Sequence, residues 1–196
     1  ADEEHYPGTL HVGVTYLVAP AGTVVVSYEA TTDSPTIVNL TQHTYFNLAG
    51  ETSVSVLDHE LRINAAHYTP VDASLIPTGE IAPVDGTPFD FRDPARLRSR
   101  VRDQHEQLRR AGGFDHNFVL TPHAGGRAPA ATLRDRQSGR VLEIDTTEPG
   151  LQFYDGHLLE AGVTLAHARV LQRHAGLCLE TQHFPDSPNK PGFPSV

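Results

Sequence analysis

The sequence predicts an all-β protein of the sandwich class, and three observations support this. Apolar residues alternate with period two in several short stretches, which is typical of strands. The 15 prolines and 16 glycines among 196 residues suit many turns that join many short strands. No internal repeat or linker divides the chain, and its length is that of one domain with a sizeable core. We therefore expect a single domain over residues 1–196.

Two β-hairpins are predicted from local pattern. The first strand of the first hairpin places apolar residues on one face: Leu10, Val12, Val14, Tyr16 and Val18. A turn at 20–22 then leads into the β-branched stretch 23–32. The second hairpin surrounds the turn at 136–139, where Gly139 suits a positive φ.

The remaining elements are shorter. Strands are predicted at 36–40, 53–63, 117–120, 130–134, 141–147 and 177–182. One helix is predicted over 94–110, because Leu97, Val101 and Leu108 lie on one helical stripe and glycines at 112 and 113 follow it. The Pro- and Gly-rich segment 67–92 is expected to be irregular.

Composition excludes several classes of function. The formal net charge of -9 argues against nucleic acid as a partner, since phosphate binding needs clustered cations. No apolar run reaches the roughly 18 to 20 residues of a membrane span, and no signal peptide opens the sequence, so we expect a cytoplasmic protein without a membrane partner. The single cysteine, Cys178, excludes an internal disulfide and is expected to be a small buried hydrophobe between two leucines.

Two polar groups suggest proton transfer. His43 lies among polar neighbours that can fix its tautomer, and Glu180 lies in a predicted inner strand, where a carboxylate is costly unless it is paired or used. A histidine and a glutamate together offer a proton donor and a proton acceptor near neutral pH. Each also has a structural interpretation: His43 as one of twelve histidines, and Glu180 as an outward-facing strand residue.

Other polar residues are weaker candidates. Asp115, after a glycine turn, suits hydrogen bonds to ligand hydroxyls or a local turn cap. Gln152 stands beside Phe153 in a stretch that suits either a sugar ring or a core strand. Four further histidines match no standard metal motif, so no metal site is expected there: His116, His123, His157 and His183.

Five segments, in order along nearly the whole chain, resemble the aldose 1-epimerase (galactose mutarotase) family. They are NLTQHTYFNLAG, HYTPVDASLIPTGEIAPVDGTPFDF, GGFDHNFVL, TTEPGLQFYDG and LCLETQHFPDSPN. The resemblance implies a large, twisted antiparallel β-sandwich of the galactose mutarotase type. It also implies interconversion of the α and β anomers of free aldohexoses such as galactose or glucose, with no metal or nucleotide cofactor.

The resemblance also assigns roles. Glu180 would be the base that removes the proton of the anomeric hydroxyl, and His43 the acid that protonates the ring oxygen. Asp115 and Gln152 would hold sugar hydroxyls, and we expect Asn47 and Phe153 to contribute to the same substrate site.

Family members carry an N-terminal portion that supplies strands, an arginine and a second histidine to the sugar site, and nothing in residues 1–196 matches it. The chain also lacks methionine. We therefore expect the C-terminal portion of something longer, a sandwich without its N-terminal strands, and a partner that is either a separate N-terminal portion or a second copy. Two alternatives stay open: a non-catalytic carbohydrate-binding or sensor module, and an epimerase of phosphorylated hexoses, which the few Lys and Arg near the motifs disfavour.

Overall fold

The computed structural model describes residues 3–50, 53, 55–122, 128–159, 164 and 170–196. The chain forms two compact units, Ala1–Leu40 with Val196, and Thr41–Ser195. All strand pairs of the described residues are antiparallel, and they form sheets of two, five and four strands. The all-β prediction is confirmed.

The first unit is a long hairpin. Strand β1 (Leu10–Ala19) pairs with β2 (Thr23–Thr32) in unbroken register from Leu10 opposite Thr32 to Ala19 opposite Thr23. The 3₁₀ turn Pro20–Gly22 closes it, with positive φ at Ala21 and Gly22. The first predicted hairpin is therefore confirmed, whereas residues 36–40, predicted as a strand, form none.

This hairpin carries one apolar face of which most residues are exposed, although Val26 and Tyr28 are half-buried. Cross-strand pairs place apolar side chains opposite one another on it: Val12–Ala30, Val14–Tyr28, Tyr16–Val26 and Val18–Val24. Tyr16 is 60% exposed and Val18 75% exposed. An isolated two-stranded ribbon is at best marginally stable in water, and contiguous apolar surface usually marks an interface. We refer to these eight residues as the apolar hairpin face.

The second unit holds the remaining strands and two short helices. The strands are β3 (Glu60–Ile63), β4 (Ala65–Tyr68), β5 (Ala82–Pro83), β6 (Ala95–Arg96), β7 (Asp115–Leu120), β8 (Ala128–Arg134), β9 (Val141–Thr146), β10 (Gly150–Tyr154) and β11 (Cys178–Gln182). The helices are α1 (Leu97–Arg100) and α2 (Glu106–Ala111). One sheet has the order β11-β10-β7-β4-β5 and the other β6-β3-β8-β9.

The core of this unit draws on both sheets. Leu61 and Leu133 come from the four-stranded sheet, and Phe118 and Phe153 from the five-stranded one, all fully buried in one apolar cluster. The ring of Phe153 lies 5.2 Å from that of Phe114, in an aromatic group at the centre of the cluster. One face of each sheet is thus buried in the apolar core.

Most of the strands predicted from the sequence are present in the structure. The predicted strands at 117–120, 130–134, 141–147 and 177–182 are confirmed within a few residues, as is the second hairpin, with φ +74° at Gly139. Of the strand predicted at 53–63, only Glu60–Ile63 forms among the described residues. The segment 67–92, expected to be irregular, contains β5 and the end of β4.

The single helix predicted over 94–110 is wrong, because two short helices form with a break between them. The backbone N–H of His105 donates to the Asp103 carboxylate at 2.8 Å, and the His105 side chain then accepts from the N–H of Gln107. These side-chain contacts start a new helix at α2. Gly112, in the left-handed conformation, ends it as predicted.

None of the described helices has the length and apolarity needed to cross a membrane. The cytoplasmic location and the single domain stay predictions.

Candidate active site

Three neighbouring strands, β7, β10 and β11, build a polar face. Gln152 lies directly opposite Glu180 on one side and Asn117 on the other, while Tyr154 lies opposite Cys178 and Asp115. Successive strand residues point to opposite faces, so these side chains share one face, and their sequence neighbours point into the core. The period-two pattern therefore places Asp115, Gln152, Cys178 and Glu180 together.

His43 reaches this face from a segment along the edge of β11. The backbone of Phe46 exchanges two hydrogen bonds with Leu177, at 2.7 and 3.1 Å. The Thr41 hydroxyl donates to the carbonyl of Thr181 at 2.9 Å. Anchored on both sides, His43 places Nε2 3.5 Å from Oε1 of Glu180. The two predicted proton-transfer residues, 137 positions apart in sequence, are thus in contact.

The two partners differ in exposure. The Glu180 side chain is 9% exposed and that of His43 52%. Burial raises the pKa of Glu180; the nearby His43 lowers this pKa and the carboxylate of Asp115 raises it, with a net upward direction. A buried carboxylate whose pKa is shifted toward neutrality is suited to accept a proton, beside an imidazole that solvent or a ligand can reach.

Asp115 and Gln152 form a second pair on the same face. Nε2 of Gln152 donates to Oδ1 of Asp115 at 2.7 Å, and Oε1 of Gln152 is buried without a hydrogen-bond partner among the described atoms. A buried acceptor without a partner is costly, so a further donor at this position would be stabilising. This pair offers a carboxylate oxygen and an amide oxygen as acceptors.

The turn before Asp115 is held by the buried side chains of Asp155 and His157. The N–H of Phe114 donates to Oδ2 of Asp155 at 3.2 Å, and Asp155 also contacts Nδ1 of His157 at 2.7 Å. A Cβ on Gly113 would lie only 2.5 Å from Nδ1 of His157. Glycine is therefore needed at 113 for the turn to approach this pair closely and for Asp115 to enter β7 in place.

Two tyrosines and the cysteine complete the face, and none of the three is among the residues that the sequence predicts for the site. The ring of Tyr45 lies 5.1 Å from that of His43 and 6.1 Å from that of Tyr154. Sγ of Cys178 lies 3.3 Å from Nδ1 of His43. The signal that could have found Tyr154 and Cys178 is the period of two, since each lies two residues from Gln152 or Glu180.

Two residues expected to contact substrate have other partners in this structure, and their part in sugar binding stays a prediction. Phe153 is fully buried on the core face, because it alternates with Gln152 along β10. The amide of Asn47 is engaged with backbone: Nδ2 donates to the carbonyls of Ala175 and Ser53, and Oδ1 accepts from the N–H of Ala49. Asn47 therefore stabilises the loop that follows His43.

Of the four further histidines named above, the three that the structure describes have separate environments. His116 is buried among aromatic rings, and burial lowers its pKa to about 3. His157 pairs with Asp155, and Nδ1 of His183 contacts Glu148 at 2.7 Å. His123 lies outside the described residues.

A metal ion fits the polar face poorly, although three donors lie together. The nearest ligand atoms of His43, Cys178 and Glu180 lie within 4.8 Å of one another. A thiol binds metals as the thiolate, but burial raises the pKa of Cys178 to about 12. The thiol and the carboxylate also contact different ring nitrogens of His43. This arrangement favours hydrogen bonds among the three side chains over their joint coordination of one metal ion.

The known proteins that this chain resembles belong to one family. The sequence model of the family described as Aldose 1-epimerase matches residues 1–196. The chain is 48% identical over 192 residues to a galactose mutarotase of Mus musculus, covering 98% of this chain and 54% of the relative. It is 38% identical over 192 residues to an aldose 1-epimerase of Escherichia coli, covering 98% and 55%. The chain thus spans about half the length of these relatives.

Solved structures of aldose epimerases also resemble this chain, and it again covers about half of their length. A crystal structure of an aldose epimerase homologue from C. elegans superposes with a TM-score of 0.87 at 30% identity, covering 98% of this chain and 56% of that one. A galactose 1-epimerase from Lactobacillus acidophilus gives a TM-score of 0.81 at 30% identity, with coverages of 94% and 51%.

The raised pKa of Glu180 predicts how a neutral replacement affects stability. Below the ordinary value of 4.5 the carboxyl is protonated in both the folded and the unfolded chain. As the pH rises through the folded-state pKa, burial of the charge destabilises the fold. Glu180→Gln should therefore raise the melting temperature near pH 7, with the difference closing near pH 4.

Thermal unfolding of both proteins at the two pH values measures this. Glu143→Gln, an exposed glutamate of β9, is the matched control and should change neither melting temperature. A Glu180→Gln melting temperature equal to or below the native one near pH 7 would contradict the assigned direction.

Proposed function

This chain belongs to the aldose 1-epimerase family, and we propose that it provides the acid and the base that interconvert the α and β anomers of a free aldohexose such as galactose or glucose. The observation that carries the proposal is the 3.5 Å contact between His43 Nε2 and Glu180 Oε1 on the polar face. The names of the mouse and Escherichia coli relatives, a galactose mutarotase and an aldose 1-epimerase, support an aldose substrate.

The reaction requires two proton transfers at oxygens on one carbon. Glu180 removes the proton of the hydroxyl O1, the C1–O5 bond breaks, and its electron pair goes to O5, which takes a proton from His43. The aldehyde turns about the C1–C2 bond, and O5 attacks C1 from the other side. His43 then recovers its proton from O5 and Glu180 returns one to O1, so no proton is gained or lost.

The geometry suits this chemistry because both oxygens are bonded to C1. An acid and a base that serve them must lie side by side, and His43 and Glu180 do. The raised pKa of Glu180 makes its carboxylate a stronger base than an exposed one. The 52% exposure of the His43 side chain leaves room for a sugar to approach Nε2.

Asp115 and Gln152 provide binding rather than proton transfer. Their mutual hydrogen bond fixes both side chains and leaves the second carboxylate oxygen of Asp115 and the amide oxygen of Gln152 as the acceptors we assign to sugar hydroxyls. Acceptors that are held before binding lose little conformational entropy when the sugar arrives. In this proposal Asp115 and Gln152 orient the sugar so that its C1 atom lies next to His43 and Glu180.

We further propose a polypeptide partner for the apolar hairpin face. The relatives and solved structures are nearly twice as long as this chain, so about 45% of the family fold lies beyond what it spans. Contiguous apolar surface of this kind is covered in stable proteins. The occupant we propose is that remaining part of the family fold, on the same polypeptide or on another.

Activity should depend on Glu180. We expect Glu180→Gln to slow the change in optical rotation of freshly dissolved α-D-galactose by at least roughly 10²-fold, because a positioned base contributes about that much. Sugar binding, measured by titration calorimetry, should change little, since Asp115 and Gln152 remain. The assay is run with the chain alone and with the part of the mouse relative that the chain does not match.

Glu143→Gln is the matched control and should keep the native rate. A native rate in Glu180→Gln would contradict the assignment of the base. Saturable sugar binding with no anomer interconversion by the native chain in either assay would favour a carbohydrate-binding module instead.

The partner proposal predicts an effect of charge on the apolar hairpin face. Val14→Lys should weaken binding of the unmatched part of the mouse relative at least about tenfold, because a buried lysine charge is costly. Thr15→Lys, on the opposite face of β1, should not. Titration calorimetry with the purified segment measures both. Equal binding of the segment by the two variants would contradict the proposed occupant. So would a finding that only a second copy of the chain covers the apolar hairpin face.

A further inference from the structure

Cys178 is a buried thiol that the proton transfers proposed above do not use. It is fully buried in β11, two residues before Glu180 and therefore on the same face. Its Sγ lies 3.3 Å from Nδ1 of His43, the ring nitrogen opposite the one that faces Glu180. The three side chains thus form a continuous line of contacts, from Cys178 through His43 to Glu180.

The thiol stays protonated in this position. Burial, together with the carboxylates of Glu180 and Asp115, raises the pKa of Cys178 to about 12. A thiol is both a weak donor and a weak acceptor. Its sulfur can accept from Nδ1–H both when His43 carries two ring protons and after Nε2 has given one up, so that Nδ1 keeps its proton throughout. It is therefore a partner for His43 in each protonation state that acid–base catalysis requires.

His43 needs such an anchor because half of its side chain faces solvent. On one side the ring lies 5.1 Å from Tyr45 in a tilted arrangement, which restrains its plane but does not distinguish the two nitrogens. The contact with Cys178 does distinguish them, since a ring flip would remove Nδ1 from sulfur and Nε2 from Glu180. A sulfur contact is weaker than a carboxylate contact, so it orients the imidazole without adding a negative charge that would hold its proton.

We propose that the Cys178 thiol is the positioning residue that fixes the orientation and tautomer of His43, so that Nε2 faces Glu180 and the sugar. The role rests on the proposed function of His43, but the contact itself is testable without turnover. A carboxylate at 178 would serve as a stronger anchor but would retain the proton of His43, whereas a thiol leaves that proton free to move. No covalent step is assigned to the sulfur.

The test compares two replacements of similar size. Cys178→Ser keeps a hydroxyl that can donate and accept, whereas Cys178→Val fills the space with an apolar group. We expect kcat to fall about tenfold in Cys178→Val, the scale of one net hydrogen bond, with KM unchanged because Asp115 and Gln152 remain. Cys178→Ser should keep most of the native kcat. A packing role predicts the reverse order, because serine would bury a hydroxyl where valine fits.

Nitrogen-15 NMR of the His43 ring separates this inference from the proposed function. In the native chain and in Cys178→Ser, Nδ1 and Nε2 should give distinct signals of one preferred tautomer over the neutral pH range. In Cys178→Val the two shifts should move toward the average of both tautomers. Native His43 signals in Cys178→Val would overturn the inference, whatever the activity. The expected shifts without any turnover would leave the inference standing and refute the proposed function.

Discussion

The alternation of side chains along β7, β10 and β11 is the constraint on which the site depends. Each strand must bury one face against the aromatic core, where Phe118, Phe153 and Leu179 pack. The opposite face is then free to collect Asp115, Gln152, Cys178 and Glu180, because the register brings alternate residues side by side. A shift of one residue in any of these strands would exchange the two faces; in β11 it would place Glu180 in the core and Leu179 in the site.

The same constraint raises the pKa of Glu180. A carboxylate surrounded by strands loses hydration, and the negative charge of Asp115 opposes its ionisation further, so its pKa rises. His43 is the group that offsets this, and it approaches from the edge of β11, where solvent and a ligand have access. A buried carboxylate that destabilises the fold is typical of an active site, because stability and activity trade off there.

Much of this could be predicted from the sequence, but not all. Period two and turn residues predict both hairpins, and family motifs select His43, Glu180, Asp115 and Gln152. The motif of Phe153 suggests a sugar site, but its alternation with Gln152 places its ring in the apolar core. Local pattern could not show that Cys178 contacts a histidine 135 positions away, or that the amide of Asn47 is bound by Ala175. Those contacts depend on how distant segments pack along the edge of a sheet.

The most direct test of a shared acid–base mechanism is a double-mutant cycle on the mutarotation rate, with His43→Asn, Glu180→Gln and both together. If the two groups serve one ring-opening step, each single change removes most of the catalysis. The double variant should then be scarcely slower than the slower single variant. Losses that multiply, as for independent sites, would contradict the account, as would a His43→Asn variant that keeps the native rate.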